Sequence, residues 1–394
     1  MNTRLSIMAF ALIVLTGCSS ISNTVRDSVT GLFSDKDNAE PPAKLVEFKA
    51  TLKVNQVWSA NVGSDSKSLF VRLQPTADGD RIYAAGAKGQ VNAYDIKTGK
   101  LIWEADTEAK LRGGPGIGDG LVLLGTADAE VIALDRETGK QRWRARASSE
   151  VLASPTAGNG MVVVRSIDGR IFGLTSDEGK RLWIFDSSVP VLTLRGTSAP
   201  VIYQDGVVIG LANGKLVALR LKDGALLWEA RIAIPSGRSE LERIVDIDAD
   251  PIIADGVVHV ATFQGNVATL ALENGRGLWN RKMSSHAGLG ADKNNLYVTD
   301  DNSEVWALER RSGSSFWKHD KLRARKLTAP VAFGRYVVVG DLEGYVHFLD
   351  SDTGALAARI RVGSSPIVAA PIIVGDTVFI SSSGGELTAL RTDG

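Results

Sequence analysis

The chain has 394 residues, and its 45 Lys and Arg side chains balance 45 Asp and Glu side chains, so the formal net charge is zero. A neutral chain has no overall field that attracts a nucleic-acid backbone, which argues against nucleic-acid binding. The one cysteine excludes an intramolecular disulfide and any cysteine-based zinc or iron–sulfur site. The apolar content of 44% and the 41 glycines indicate a folded protein with many tight turns.

The N-terminus has the pattern of a bacterial export signal. Arg4 precedes an apolar run over residues 5–15 that is too short to span a bilayer. The run ends in Leu15-Thr16-Gly17-Cys18, which resembles a bacterial lipobox and implies cleavage before Cys18 and lipid attachment to it. The alternative is an ordinary secretory signal with a chance cysteine.

The lipobox divides the N-terminal part of the chain in two. We expect residues 1–17 to be a lipoprotein signal peptide and residues 18–50 to be the lipidated Cys18 with a flexible tether, because this stretch is polar and lacks periodicity. In the lipoprotein sorting pattern, Ser19 after the cysteine favours the outer membrane. The expected location is therefore the outer membrane, with the protein lipid-anchored and facing the periplasm.

From about residue 51 the chain consists of a repeated unit. One copy, Gly89–Trp103, contains Ala-x-Asp-x-x-Thr-Gly-x-x-x-Trp, and five further copies end in tryptophan at the same position. A seventh copy has Ala358 in place of the tryptophan. An eighth stops at Gly394 before its tryptophan, and the stretch 54–58 at the other end of the chain supplies what it lacks.

Each copy contains four short apolar runs separated by turn residues, and a four-stranded unit of roughly 40 residues has the length of a propeller blade. The sequence therefore predicts an all-β fold over residues 51–394. This is an eight-bladed β-propeller of four-stranded antiparallel blades, closed by an N-terminal strand that completes the last blade. The repeated tryptophans are expected to pack between blades rather than to form a platform for a cofactor or carbohydrate.

Length variation between copies falls only in the crossover from a tryptophan to the next blade. The two long consecutive crossovers cover 184–199 and 229–250. Every such crossover emerges on the same face of a propeller, so the two should form one patch.

The residues in this patch are unlike those of a solvated loop. Leu192 and Leu194 alternate beside Arg195 in the first crossover, and the second contains Asp246 and Asp248. Apolar anchors beside charged groups predict a protein-binding surface. The alternative is that the leucines only cap the blade core. We expect both aspartates to lie ionised in an exposed loop, so that reversing their charge leaves the fold intact.

No catalytic or metal site emerges from the sequence. The four histidines fall in different copies at different repeat positions, namely His259, His286, His319 and His347. Nothing in the pattern brings them together as ligands or as a base. The aspartates near Asp246 do not match a calcium-loop spacing. We therefore expect no cofactor and no bound metal.

The repeat resembles that of pyrroloquinoline-quinone dehydrogenase propellers, a signature that enzymes and non-enzymes share. The lipobox, the split eighth blade and the stretches 192–196 and 239–248 together resemble the BamB family, the lipoprotein subunits of the outer-membrane β-barrel assembly (BAM) machinery. This resemblance implies a non-catalytic scaffold that binds the POTRA domains of BamA. It assigns that contact to Leu192, Leu194, Arg195, Asp246 and Asp248.

The same resemblance implies a role in the folding and insertion of β-barrel proteins. The scaffold would orient BamA or present strand edges to unfolded outer-membrane protein substrates. The rival interpretation is a quinone-dependent dehydrogenase or a periplasmic propeller that binds a small ligand. The dehydrogenase pattern includes an adjacent-cysteine disulfide and a longer chain, and this sequence has neither.

Overall fold

The computed structural model describes residues 40–63, 73–196 and 198–393. The predicted signal peptide 1–17 and the predicted lipid attachment residue Cys18 lie outside these residues. No helix in the described ranges is long and apolar enough to cross a membrane.

The described chain forms 32 strands arranged as eight four-stranded antiparallel sheets. In chain order they are β1 (Val54–Asn61), β2 (Thr76–Asp78), β3 (Arg81–Ala85), β4 (Gln90–Asp95), β5 (Leu101–Asp106), β6 (Leu111–Gly118), β7 (Leu121–Thr126), β8 (Glu130–Asp135), β9 (Gln141–Arg146), β10 (Thr156–Gly158), β11 (Met161–Arg165), β12 (Arg170–Thr175), β13 (Arg181–Asp186), β14 (Val201–Tyr203), β15 (Gly206–Gly210), β16 (Lys215–Arg220), β17 (Leu226–Arg231), β18 (Ile252–Ala254), β19 (Val257–Ala261), β20 (Asn266–Ala271), β21 (Gly277–Lys282), β22 (Gly288–Ala291), β23 (Asn295–Thr299), β24 (Val305–Glu309), β25 (Ser315–His319), β26 (Val331–Phe333), β27 (Tyr336–Gly340), β28 (Tyr345–Asp350), β29 (Leu356–Arg361), β30 (Ile372–Val374), β31 (Thr377–Ser381) and β32 (Glu386–Thr392). The first seven blades are β2–β5, β6–β9, β10–β13, β14–β17, β18–β21, β22–β25 and β26–β29, and the eighth is β30, β31, β32 and β1.

The burial pattern along a blade explains why these residues form these strands. The second and third strands are buried on both faces, as in β11 and β12, and their sequences are nearly continuous apolar runs. The outermost strand, such as β13, alternates because one face packs on the next blade while the other meets solvent. The predicted all-β propeller with four-stranded antiparallel blades is confirmed.

Eight hydrophobic clusters hold the blades together, and each is shared by two successive blades. One of them joins the eighth blade to the first, where Phe379 and Leu387 pack with Ile82 and Tyr94. A cluster at this position means that the ring closes, so that no blade leaves an apolar face open.

The eighth blade is assembled from both ends of the chain, as the sequence predicts. Strand β1 pairs antiparallel with β32, and Trp58 lies opposite Ala389. This register repeats that of the first blade, where Trp103 lies opposite Ala93. The N-terminal strand β1 therefore serves as the fourth strand of the eighth blade, in the same register that the fourth strand has in the first blade.

Seven tryptophans form the girdle that the sequence predicts. Each donates its indole N–H to a backbone carbonyl of the next blade, as Trp103 does to Arg136 at 3.0 Å. The ring also covers the turn glycine of that blade, and a Cβ at Gly139 would lie 2.6 Å from Trp103 Cε3. Gly139 has a φ of +71°, so both backbone and space require glycine. The seven are Trp58, Trp103, Trp143, Trp183, Trp228, Trp279 and Trp317.

In the seventh blade, which has Ala358 at the tryptophan position, an N-terminal strap of residues 43–52 packs on the blade instead. Leu52 is buried in the same cluster as Ala358, and the backbone N–H of Leu52 donates to Ala357 at 3.2 Å. The Arg359 guanidinium donates to the Val46 carbonyl at 3.1 Å. Residues 43–50 of the strap lie in the stretch 18–50 that the sequence assigns to a flexible tether, and residues 51 and 52 lie in the predicted propeller. The boundary at residue 50 stays a prediction.

The substitution Leu52→Ala is expected to lower the free energy of unfolding by about 2 kcal/mol, because it opens a cavity at the position that lacks a tryptophan. Urea unfolding followed by tryptophan fluorescence measures the change. The matched control is Leu101→Ala on the outermost strand of the first blade, where the side chain is exposed and the expected change is within about 0.5 kcal/mol. Equal losses in both variants would show that the strap does not stabilise the ring.

Candidate partner-binding surface

The two long crossovers join the third, fourth and fifth blades. The first covers residues 187–200, between β13 and β14, and the second covers residues 232–251, between β17 and β18. In an antiparallel blade the crossover leaves from the same face as the turn between the second and third strands. Both crossovers therefore lie on one face of the propeller, which we call the crossover face.

The two crossovers contact each other, which confirms the expectation that they form one patch. The Ala199 backbone N–H donates to Asp250 Oδ1 at 2.6 Å. Gly196 packs so closely on Asp246 that an added Cβ would lie 2.9 Å from Asp246 Oδ1. Glycine at position 196 therefore allows the first crossover to lie directly on the second.

The most exposed apolar side chains of this surface are not the ones that the sequence singled out. Val191, Ile234 and Leu241 are 88%, 68% and 67% exposed, and Leu192 is partly exposed beside them. Leu194 is half-buried and faces a cavity near the ring axis. Sequence reasoning missed Val191, Ile234 and Leu241, although apolar residues in crossovers of this length were a usable signal.

Arg195 sits at a strained point of the first crossover. Its φ is +62°, and its guanidinium forms an ion pair with Glu150, which belongs to the preceding crossover between β9 and β10. The backbone N–H of Arg195 donates to Thr193 Oγ1 at 3.1 Å. The side chain is more than half exposed, so its guanidinium remains accessible to a partner.

The expectation that Asp246 and Asp248 lie in an exposed loop is wrong. Asp246 is 0% exposed and Asp248 is 8% exposed. Beneath them lies the buried guanidinium of Arg165, the last residue of β11, which donates from Nη1 to the Ser198 carbonyl at 3.4 Å. The second crossover folds inward over this cation because a buried guanidinium needs carboxylates beside it. The two aspartates thus lie under the surface, and reversing their charge would disturb the fold.

Burial shifts the ionisation of this buried cluster. It raises the pKa of Asp246 to about 6, against the opposing effect of the Arg165 guanidinium and of the backbone N–H groups of Gly196 and Leu194. Burial also lowers the pKa of Arg165, and this is offset in part by Asp246, Asp248 and the neighbouring Asp250. Desolvation is the largest cause in both residues.

The four histidines have separate structural partners in the described chain. His259 Nδ1 lies 2.6 Å from Thr269 Oγ1, and His347 Nε2 lies 2.9 Å from Asp341 Oδ2. His286 and His319 hydrogen-bond to an aspartate and a backbone carbonyl respectively. Among residues 40–63, 73–196 and 198–393, no group of three or more His, Cys, Asp or Glu side chains has a geometry that could hold a metal ion.

Comparison with known proteins supplies the family. A sequence profile described as outer membrane protein assembly factor BamB matches residues 45–113, 87–319 and 320–394. The BamB proteins of Pseudomonas aeruginosa and Alkalilimnicola ehrlichii are both 51% identical to this chain. The alignments cover 92% and 85% of this chain, and 95% and 88% of those proteins.

Solved structures agree with the sequence comparison. The crystal structure of BamB from Moraxella catarrhalis has a TM-score of 0.80 and 28% identity, and it covers 86% of this chain and 100% of its own. The quinohemoprotein alcohol dehydrogenase of Comamonas testosteroni, with a TM-score of 0.71 and 14% identity over 86% of this chain and 76% of its own, shares the fold alone. This chain belongs to the BamB family of outer membrane protein assembly factors.

Proposed function

We propose that this protein is a non-catalytic scaffold of the BAM complex at the outer membrane, and that its crossover face binds the POTRA domains of BamA. The observation that carries the proposal is that two crossovers in contact with each other expose four apolar side chains, those of Val191, Leu192, Ile234 and Leu241. Exposed apolar anchors with a charged neighbour such as Arg195 are typical of the centre of a protein interface.

The residues that the family resemblance assigned to BamA then have two different roles. Leu192, Leu194 and Arg195 contact the partner, because each has exposed or half-exposed side-chain surface. Asp246 and Asp248 are positioning residues, because they lie under the surface beside Arg165, and Asp246 also packs against Gly196 of the first crossover.

The same proposal includes an anchor and a location. The lipobox supports lipid attachment at Cys18, which holds the protein at the outer membrane with its propeller in the periplasm. In the described part of the chain the outermost strands β5, β13, β17 and β25 have no strand partner on their outer edge. They carry the exposed apolar residues Leu101, Leu182, Leu226 and Phe316. These edges support a second contribution, the pairing of unfolded outer-membrane proteins with exposed strands.

Substitution of an exposed anchor tests the partner site. Val191→Asp, made in the full-length lipoprotein, is expected to weaken binding of the BamA POTRA domains by at least about tenfold, because it places a charge in the apolar centre of the interface. Pull-down from detergent extract, quantified against a titration of purified POTRA domains, measures the loss.

The matched control is Leu226→Asp, an exposed apolar residue on the outermost strand of the fourth blade. We expect it to bind BamA as the unmodified protein does. If Val191→Asp bound BamA as tightly as the unmodified protein does, the crossover face would not be the BamA site. Equal weakening in both variants would point to a general effect of the added charge.

A further inference from the structure

A cavity of about 730 Å³ opens at the ring axis on the crossover face. Its walls come from the inner ends of the crossovers, where they turn into the innermost strands. Residues from seven of the eight crossovers contribute, including Leu152, Leu194, Ala249, Ala287, Leu327 and Ala369. None of the four exposed apolar residues proposed to bind BamA lines this cavity, whereas Leu194 and Arg195, which are also proposed BamA contacts, do.

The walls are mainly apolar, and several of the side chains are only half-buried. Ile252, Val331 and Val368 face the cavity and retain exposed surface. Apolar surface left open in a concave site of this volume is typical of a binding site, because a ligand there removes it from water.

The backbone around the cavity selects the kind of ligand. In the described chain each innermost strand pairs only with the second strand of its own blade, so its other edge, toward the axis, carries no ladder. Three of these strands, β18, β22 and β26, contribute Ile252, Leu289 and Val331 to the lining of the cavity. An extended polypeptide can form backbone hydrogen bonds with an open strand edge of this kind.

The charged side chains of the lining favour the same kind of ligand. Three carboxylates face the cavity, those of Asp248, Asp250 and Asp301, against the cations Arg195 and Lys326. Pairing with Glu150 reduces the effect of Arg195 on a ligand, and pairing with His286 reduces that of Asp301. Asp248 and Asp250 then face Lys326, which leaves a small excess of negative charge in the lining. The surroundings therefore favour a ligand that donates hydrogen bonds or carries a positive charge.

We propose that this cavity binds an extended apolar polypeptide segment that carries a basic residue. The apolar side chains of the segment occupy the space between Ile252, Val331 and Val368, and its backbone forms hydrogen bonds with the open inner edges of β18, β22 and β26. A hydrocarbon chain matches the walls but has no backbone groups to pair with these edges, so a peptide is the better match. The site borders the proposed BamA surface and shares Leu194 and Arg195 with it.

The test uses a fluorescein-labelled peptide in which leucine alternates with serine around one lysine, and the full-length lipoprotein in nanodiscs. Fluorescence anisotropy measures binding. Val331→Asp, which adds a charge to the wall, and Val368→Trp, which fills the space without charge, are both expected to weaken binding by at least about tenfold. The control Asn274→Asp adds one negative charge in the exposed turn between β20 and β21, outside the cavity lining and outside the outermost strands, and is expected to leave peptide binding unchanged.

Two further measurements separate the alternatives. A peptide with N-methylated backbone amides should bind at least about tenfold more weakly, because it has lost its donors. Equal binding of the methylated peptide, or binding of oleate without binding of the peptide, would overturn the proposed ligand class. Val331→Asp should keep wild-type binding of the BamA POTRA domains, and loss of both ligands together would overturn the claim of a separate site.

Discussion

The substitution Asp246→Arg is expected to lower the free energy of unfolding by about 3–5 kcal/mol, which makes it one of the most damaging single changes in the chain. Asp246 has no exposed surface, and its carboxylate lies beside the buried guanidinium of Arg165. The new side chain would add a second cation at the same place, where water cannot screen either charge. Urea unfolding followed by circular dichroism and by tryptophan fluorescence measures the loss.

Glu240→Arg is the matched control, since it makes the same change of charge on an exposed residue of the same crossover. We expect its free energy of unfolding to stay within about 0.5 kcal/mol of the unmodified protein. If Asp246→Arg were as stable as Glu240→Arg, Asp246 would have to lie in solvent, and the inward fold of the second crossover over Arg165 would be wrong.

The unfolding free energy of a variant decides how its loss of BamA binding is interpreted. A loss caused by Asp246→Arg reports a displaced surface, because Asp246 supports Gly196 and Leu194 from below. A loss caused by Val191→Asp reports the contact itself, since Val191 is exposed and supports nothing beneath it. Only variants whose unfolding free energy is unchanged identify residues that touch the partner.

The fold was predictable from the sequence because its determinants are local and repeated. Alternating apolar runs and the spacing between proline, glycine and tryptophan identify the strands of each blade. The split eighth copy predicts closure of the ring. The girdle was predictable for the same reason: one indole and one turn glycine recur in step, and their contact, as between Trp103 and Gly139, joins neighbouring repeats.

The burial of the crossover aspartates was not predicted, because it depends on a contact between distant parts of the chain. In the sequence Asp246 looks like any aspartate of an exposed loop, since nothing near it shows that Arg165 lies beneath it. A signal was nevertheless present, since Arg165 occupies a repeat position that is otherwise held by small residues. The equivalents in the other copies are Ala85, Gly125, Gly210, Ala261, Thr299, Gly340 and Ser381. A large cation among small residues in a buried strand predicts carboxylates nearby.

The second large effect concerns pH. In the unmodified protein the fold is expected to lose about 3 kcal/mol of stability through Asp246 as the pH rises from about 3 to about 7. The pKa of Asp246 is about 6 in the folded protein against an ordinary value of 3.8, and each pKa unit is worth about 1.36 kcal/mol. Below about pH 3 the carboxyl is protonated in both the folded and the unfolded protein, so its contribution to stability is fully present. Between these pH values the unfolded chain releases its proton first, which favours unfolding.

Asp246→Asn isolates this contribution because the amide is neutral at every pH. The difference in unfolding free energy between the variant and the unmodified protein should shift by about 3 kcal/mol in favour of the variant between pH 3 and pH 8. Any constant offset from the amide itself cancels in that comparison, and Glu240→Gln should show no such shift. A difference that stays flat with pH would mean that Asp246 is not desolvated.

A carboxylate that weakens the fold at neutral pH fits a positioning role, since stability is commonly lost where a site must hold a particular geometry. The Asn variant should therefore bind the BamA POTRA domains less tightly at pH 8, because it lacks the carboxylate that lies between Arg165 and Gly196.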